Sequence, residues 1–520
     1  MSSAYVPTIG TTTGSSTDCQ HQVSEIKGKL KRKLSYDTET TGKPCFAQKR
    51  RRSSHIGTKC QKYNSHLVRK LLSRQMDSRG YRIFNKHARS HERFRNFSLV
   101  SKLDSHFPDN TSDLFKLCFL RKRSKVVEIV SAKDIVFGLT QTGVCTAFDR
   151  LTSERICFLN IEPDEVIRSL FYNKSNDSLI TVSVYRADNY SSLKCRSTSL
   201  EYIRRNKPNM GFNLFETESL RWPGFVEFDD VNGKVLTYSA TNKVYKVWDL
   251  VNYNLLYAIV DAGIQEIKIS PGIMLLIYNR SDVGNSTTNE ECVVPLKILA
   301  IGSGETLKSF NHKIKPHKKI DFIEQFNEKL LVKQENENLE IVDVRTASIH
   351  CVDSTHFMTP SAFIFLYENQ LFLTFRDHMV SVWNFKGELV TTFEDHMLWH
   401  PDCNTNNIYI TSQQDLIISY CKNKKQKSNF GQHRNRVLSS SSEDGSDHND
   451  EHDEVSSKGS LNISDIFTGK CLAKIVAKRS QSNYQEQLRA LDDVTALYYN
   501  EELNEIYTGN KLGVVHCWSN

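Results

Sequence analysis

Three short apolar stretches lie close together between residues 234 and 259. They cover positions 235–239, 244–248 and 255–259, and polar turns through Thr241-Asn242 and Asn252–Asn254 separate them. Runs of about five residues that are rich in β-branched and aromatic side chains and bounded by turn residues predict β-strands. A unit of three short strands cannot bury both of its faces alone. It therefore needs copies of itself.

Similar units return along the chain. Further copies begin near residues 135, 339, 379, 461 and 513. The second stretch of the unit at 234–259 ends in a signature that recurs in the other copies, an aromatic residue followed by Asp, Asn or Ser, or an Asp alone: Phe148-Asp149, Trp248-Asp249, Asp343, Trp383-Asn384, Asp465 and Trp518-Ser519. Asp343 and Asn384 are about 41 residues apart, within the 40–45 residues of one four-stranded propeller blade.

These units resemble WD40 (transducin-like) repeats, with Trp248-Asp249 as the intact signature dipeptide. The resemblance covers residues 112–520 and implies an all-β fold, a WD40-like β-propeller. It also implies that Asp377, six residues before Trp383, occupies the turn position of its blade. In Asn311-His312 and Asp395-His396, the resemblance assigns the histidine to a hydrogen-bonded network with a turn Asp and a strand Trp.

Eight segments are candidate blades: 124–158, 165–220, 225–260, 264–311, 318–352, 359–394, 396–475 and 489–520. We predict seven blades, with eight as the alternative, because 165–220 and 264–311 are the most irregular. The apolar stretch at 114–120 is the candidate strand that closes the ring against the last blade. Such closure removes exposed sheet edges.

The region before the propeller divides into two parts. Residues 1–63 are polar and predict a disordered basic tail, and residues 64–111 form a helix and linker segment with an amphipathic helix at 64–79. Residues 1–100 contain 21 Lys and Arg against 6 Asp and Glu, whereas the other 420 residues have 47 against 54. The net charge of +8 therefore originates in the N-terminal region.

Two basic clusters in this tail are candidate nuclear-import signals: Lys31, Arg32 and Lys33, and Lys49, Arg50, Arg51 and Arg52. Such clusters suit the acidic grooves of import receptors and also nucleic-acid phosphates. Ser35 and Ser53 follow them as candidate phosphorylation sites, where a phosphate would reduce the local positive charge.

Aromatic residues alternate with arginines after the helix. Tyr81, Phe84, Phe94 and Phe97 lie in this stretch, and such a pattern can stack on bases while its arginines contact phosphates. The alternative is that the aromatic side chains anchor the segment to its own domain. Nucleic-acid binding through residues 27–95 is therefore one hypothesis.

Residues 422–459 form an insertion between two predicted strands. Its first half is basic and its second half is acidic and rich in serine, so it predicts a disordered loop. Ser442 and Ser446 stand beside acidic residues and are candidate sites for an acidophilic kinase. The insertion is either a tolerated extension of a blade or a regulated docking loop.

The sequence offers no motif for catalysis. It lacks a glycine-rich phosphate loop, a nucleophile elbow and a His-Glu-x-x-His motif, and its 13 cysteines include no Cys-x-x-Cys pair. We therefore predict no enzyme, no metal and no cofactor, with the cysteines acting as small core residues. The chain has no apolar run of 18 residues and no N-terminal apolar segment, so we predict no membrane partner and no secretory signal.

Three functions are consistent with these features. The first is a non-catalytic nuclear scaffold, nuclear or nucleo-cytoplasmic, whose propeller binds other proteins and whose tail binds an import receptor. The second is a substrate receptor of a cullin-RING ubiquitin ligase, since Asp343-Val344-Arg345 resembles the Trp-Asp-x-Arg box of that group with Val342 in place of Trp. Arg345 is then the candidate adaptor contact. The third is a chromatin- or RNA-associated assembly factor with a basic arm.

Overall fold

The structure is a computed structural model that describes residues 92–105, 123–216, 218, 220–221, 224–260, 263–283, 291–376, 379–393, 408–422 and 459–520. The tail at 1–63, the helix expected at 64–79 and the apolar stretch at 114–120 lie outside these residues. The described residues form eight antiparallel sheets, seven of four strands and one of five. The all-β prediction is therefore confirmed.

The strands follow one another blade by blade. The chain begins with β1 (Ser98–Asp104), which belongs to the last blade. Blade 1 contains β2 (Val126–Ala132), β3 (Ile135–Thr140), β4 (Cys145–Asp149) and β5 (Arg155–Phe158). Blade 2 contains β6 (Glu165–Asn173), β7 (Ser178–Tyr185), β8 (Lys194–Ser199) and β9 (Phe212–Leu214), with helix α1 (Leu200–Arg204) between its last two strands. Blade 3 contains β10 (Phe225–Asp229), β11 (Lys234–Ser239), β12 (Val244–Asp249) and β13 (Leu255–Val260).

Blade 4 has an additional strand: β14 (Ile264–Ser270), β15 (Ile273–Tyr278), β16 (Ser281–Val283), β17 (Glu291–Ala300) and β18 (Thr306–Ile314). Blade 5 contains β19 (Ile320–Phe326), β20 (Lys329–Gln334), β21 (Leu339–Asp343) and β22 (Ile349–Val352). Blade 6 contains β23 (Ala362–Leu366), β24 (Leu371–Arg376), β25 (Met379–Asn384) and β26 (Leu389–Thr392). Blade 7 contains β27 (Ile408–Ile410), β28 (Leu416–Lys422), β29 (Gly459–Asp465) and β30 (Cys471–Ile475). After helix α2 (Tyr484–Ala490), blade 8 contains β31 (Val494–Asn500), β32 (Glu505–Asn510), β33 (Val514–Ser519) and β1.

Apolar contacts between neighbouring blades close the ring. Each of the eight interfaces, including the one between blades 8 and 1, contains its own cluster of buried apolar side chains. The first strands of adjacent blades contact one another, for example β14 and β19, so they form the innermost layer. The molecule is an eight-bladed β-propeller, in which the sheets surround a central channel.

The prediction of seven blades is wrong, and the alternative of eight is confirmed. Both irregular segments form complete blades. In blade 2, α1 and a short 3₁₀ turn at Pro208–Met210 separate β8 from β9 and interrupt the strand periodicity. In blade 4, β17 is ten residues long and pairs with β15 and β16 on one side and β18 on the other, so its repeat is longer than the others.

The ring closes through a different segment from the one expected. β1 pairs antiparallel with β33, from Ser98 opposite Ser519 to Asp104 opposite Val514. The fourth strand of the last blade thus comes from residues 98–104 and not from 114–120. The propeller consequently includes residues that precede the expected boundary at 112.

The segment before β1 is fixed to blade 8. The Arg93 guanidinium donates hydrogen bonds to Asn504 Oδ1 at 2.9 Å and to the Glu501 carbonyl at 3.0 Å, and it lies 5.3 Å from the ring centre of Tyr499. Phe94 and Phe97 are buried in the cluster between blades 7 and 8. These two aromatic side chains anchor the segment to its own domain, so the anchor alternative is correct for them.

Strand connectivity gives the propeller two different faces. One end has the turns that join the first to the second strand and the third to the fourth strand of each blade, and we call it the tight-turn face. The other end, which we call the insertion face, has the connections between second and third strands and between blades. The chain enters β1 from the tight-turn face, whereas the connection from Lys422 to Gly459 lies on the insertion face.

A buried histidine in β33 makes stability depend on pH. Burial lowers the pKa of His516 from 6.5 to about 4, and the Lys102 ammonium acts in the same direction. Below pH 6.5 the unfolded chain therefore binds a proton that the folded chain does not, and stability falls as pH decreases towards 4. We expect a loss of about 2 kcal/mol between pH 7 and pH 5 from this group. Urea unfolding of the wild type and of His516→Gln at both pH values measures it; equal pH dependence of the two proteins would contradict the assignment.

Candidate interaction surfaces

The signature tryptophans are held by a repeated hydrogen bond. The indole Nε1–H of each donates to a threonine Oγ1 on the neighbouring second strand at 2.9 Å. The pairs are Trp248 with Thr237, Trp383 with Thr374 and Trp518 with Thr508. Each threonine follows a large apolar or aromatic residue in its strand, as in Leu236-Thr237, a pattern that the sequence analysis did not use. Phe148, at the same position in blade 1, is buried without this polar group.

The Trp–Thr bond can be measured directly. We expect Trp248→Phe and Thr237→Val to be coupled by about 1 kcal/mol, because either change removes the same buried hydrogen bond. Urea unfolding of the two single variants and the double variant gives this coupling. The combination of Trp248→Phe with Thr374→Val, from a different blade, is the control and should be additive. Additivity in both combinations would refute the role of the bond.

The signature carboxylates organise the turn between the third and fourth strands. Oδ1 of Asp149, Asp249, Asp343 and Asp465 accepts hydrogen bonds from the backbone N–H groups two and three residues later, at distances of 2.8–3.1 Å. This is the Asx-turn arrangement in which a side chain replaces a backbone acceptor. The Lys329 ammonium and the N–H groups of Thr346 and Arg345 lower the pKa of Asp343. The signature residues that the structure describes thus stabilise the strands and turns of the blades.

The histidine network implied by the resemblance is not formed at His312. This residue lies within β18, and its Nε2 is 3.1 Å from Glu340 Oε2 of blade 5, without hydrogen-bond geometry. It therefore contacts the next blade and not a signature tryptophan. His396 and the candidate turn residue Asp377 lie outside the described residues.

The candidate adaptor contact is exposed on the tight-turn face. Arg345 lies in the turn between β21 and β22, and its guanidinium pairs with Glu328 from the turn between β19 and β20. Both side chains are exposed, so solvent weakens this ion pair. Arg345 is thus accessible to a partner, and its role stays a prediction.

A buried ionic cluster lies among the first strands. The Lys268 ammonium of β14 is 3.0 Å from Glu324 Oε1 of β19 and 2.5 Å from Glu266 Oε1. Burial by itself lowers the pKa of Lys268, but the Glu324 and Glu266 carboxylates together raise it above its ordinary value. Sequence analysis missed this cluster, although Lys and Glu within otherwise apolar strands are a signal for paired charges.

Other chemistry in the described part of the chain is sparse. Within it, no group of three or more His, Cys, Asp and Glu side chains is placed to hold a metal ion. No helix in this part is long and apolar enough to cross a membrane. Six cysteines are buried in strands (Cys145, Cys157, Cys195, Cys292, Cys421 and Cys517), and burial raises the pKa of Cys157 and Cys517 to about 12. They act as small core residues.

The remaining sequence candidates lie outside the described residues. These are the import candidates (Lys31, Arg32, Lys33, Lys49, Arg50, Arg51 and Arg52) and the phosphorylation candidates (Ser35, Ser53, Ser442 and Ser446). The structure does show at which face of the propeller each of these two segments is joined. The chain that carries the import candidates joins the propeller at the tight-turn face, and the insertion that carries Ser442 and Ser446 joins it at the insertion face.

Comparison with known proteins gives a family and matches to solved structures. A family model described as "Domain of unknown function (DUF7899)" matches residues 82–518, and no curated protein matches the chain. The computationally designed Ika8 protein is 16% identical over 77% of this chain and 97% of its own, with a TM-score of 0.41. BamB from Moraxella catarrhalis is 11% identical over 82% of this chain and 98% of its own, with a TM-score of 0.39. At this similarity neither structure informs function. The chain belongs to the family of the domain of unknown function DUF7899.

Proposed function

We propose that this protein is a non-catalytic, WD40-like scaffold that binds other proteins in the nucleus. The observation that supports it best is the ring itself. Its signature residues are used for packing and turns, and the connections of eight blades are displayed on two faces. Propellers of this kind serve as platforms for partners, but a fold hosts many functions, so the surface has to be tested directly.

The proposed location depends on the basic clusters of the tail. Changing Lys49, Arg50, Arg51 and Arg52 to Ala in a fluorescent fusion of the full chain should lower the nuclear fraction, because an import receptor recognises these cations. The matched control changes four polar residues of the same tail, Thr11, Thr12, Thr13 and Ser15, to Ala. Equal nuclear accumulation of both variants would refute the import role of this cluster.

Partner binding is tested by proximity labelling with the full chain in cells. A reproducible set of labelled nuclear proteins that also copurifies with the chain would support a scaffold. Failure to label or copurify any protein above a control propeller would count against it. A turnover of small molecules by the purified chain would contradict the non-catalytic assignment.

The ligase-receptor alternative has one supporting observation, the exposed Arg345 on the tight-turn face. If Arg345 contacts an adaptor, Arg345→Ala should abolish adaptor copurification without changing stability, since its only described ion pair is a surface one. Arg205→Ala, which removes another exposed arginine of the same face, is the control. Unchanged adaptor recovery with Arg345→Ala would eliminate this alternative.

A further inference from the structure

The outer strand of blade 3 differs from the other outer strands. β13 has the sequence Leu-Leu-Tyr-Ala-Ile-Val, with no charged residue over six positions. Elsewhere in the described propeller, outer strands of five or more residues contain lysine, as in β1, β18 and β30, and those without a charge have three or four residues. Charged and short strands are how natural sheets protect their edges from pairing with other chains. β13 has neither protection.

One face of β13 is also uncovered. Tyr257 and Ile259 point towards blade 4 and pack in the interface cluster, where the Tyr257 hydroxyl donates to the Ile301 carbonyl at 2.8 Å. The alternate residues Leu256, Ala258 and Val260 point towards blade 2 and are exposed, with Val260 at 76%. The reason lies in blade 2, since its outer strand β9 has only three residues and leaves this side of β13 open.

The apolar surface continues past the end of β13. Phe212 at the start of β9 is 58% exposed, and its ring meets the Tyr253 ring edge to face at 6.3 Å. Tyr253 is two residues before Leu255, which is also exposed. An exposed cation stands at one end: Lys243 directly precedes Val244, the partner of Val260.

We propose that β13 is a docking strand, where an extended segment of a partner protein adds to blade 3 as a fifth strand. In the described structure β13 pairs only with β12, so its other edge presents backbone N–H and C=O groups for this purpose. Strand addition uses main-chain hydrogen bonds for affinity and alternate side chains for specificity. The exposed residues select apolar side chains at every second position of the partner, and Lys243 selects an acidic residue at the partner's end that lies beside it. The inference rests on the proposed scaffold function and names its surface.

A defined peptide tests the proposal on the full chain. The probe is a fluorescent synthetic peptide with valine at alternate positions, threonine between them and two glutamates at each end. We expect Leu256→Lys with Val260→Lys to weaken its binding at least about tenfold in fluorescence anisotropy, because charges at the edge oppose strand pairing. Leu389→Lys on β26, another exposed leucine of an outer strand, should leave the affinity unchanged. A peptide with lysines at its ends should bind more weakly to the wild type.

Hydrogen exchange locates the site independently. Amides of residues 255–260 should gain protection when the peptide binds. Absent or variant-insensitive binding, or protection elsewhere, would overturn the proposal. If the edge amides of β13 are already protected in the isolated chain, its own residues occupy this edge. If the wild type is a dimer and the lysine variant is a monomer, the edge binds a second copy of the chain. Either result overturns the partner assignment.

The same variant in cells separates this inference from the function on which it rests. If the lysine variant labels and copurifies the same proteins as the wild type, the docking strand is wrong and the scaffold stands. If the wild type itself copurifies none, the scaffold proposal fails first.

Discussion

Replacing Phe94 or Phe97 with alanine is expected to destabilise the propeller by about 3–5 kcal/mol each. Both rings are buried between blades 7 and 8, and their centres are 5.3 Å apart. Because the two side chains contact each other, the double variant should lose less stability than the sum of the two single losses. The loss arises because these residues fix the strand that closes the ring. Urea unfolding gives the free energy, and hydrogen exchange should show faster exchange in β1 and β33 before the other strands.

The matched control for this prediction is Val100→Ala. Val100 lies on the same strand but is 61% exposed, so its substitution should change stability by less than about 0.5 kcal/mol. Wild-type stability in the Phe94 and Phe97 variants would mean that the segment before β1 does not contribute to closure. The two rings would then be available to stack on bases, and this result would favour the hypothesis that the basic N-terminal segment binds nucleic acid.

Lys268→Met is expected to cost about 3–5 kcal/mol, because it leaves the buried Glu324 carboxylate without its cation. The loss should be larger at pH 8 than at pH 5. Burial disfavours the charged form of the carboxyl that this variant leaves unpaired, so the loss should shrink as pH falls and protonation neutralises the group. Urea unfolding at the two pH values measures both effects.

A second substitution distinguishes a buried charge from lost packing. Lys268→Met with Glu324→Leu should recover most of the stability, since an apolar pair of similar volume often replaces a buried ion pair at little cost. Its pH dependence should disappear as well. If the double variant is as unstable as the single one at every pH, the cluster contributes through packing alone and the electrostatic account is wrong.

Much of the fold can be derived from the sequence because each blade repeats a local pattern. The strands expected at 235–239, 244–248 and 255–259 match β11, β12 and β13 to within one residue at each end. The eight candidate segments correspond to the eight blades. The blade number was nevertheless underestimated, because α1 and the long β17 disturb periodicity without disturbing sheet formation.

Ring closure could not be derived in the same way. On the sequence alone, 98–104 belongs to the linker and the more apolar stretch 114–120 is the expected closing strand, and only contacts with distant residues decide between them. Arg93, Phe94 and Phe97 meet partners more than 300 positions later, such as Glu501 and Tyr499, and no local pattern encodes such a pairing. The ion pair of Lys268 could not be predicted for the same reason, since its partner Glu324 belongs to the next blade and lies 56 positions later.

The pairing of β1 with β33 also constrains how the protein folds during synthesis. Asp104 pairs with Val514, about 410 positions later, so at 5–20 residues per second β1 waits roughly 20–80 s for its partner. Throughout this time, Phe94 and Phe97 lack the blade 8 residues that cover them. The nascent ring is consequently open at one side until translation of β33 is complete, and its unpaired strand edges and apolar side chains stay exposed during that interval.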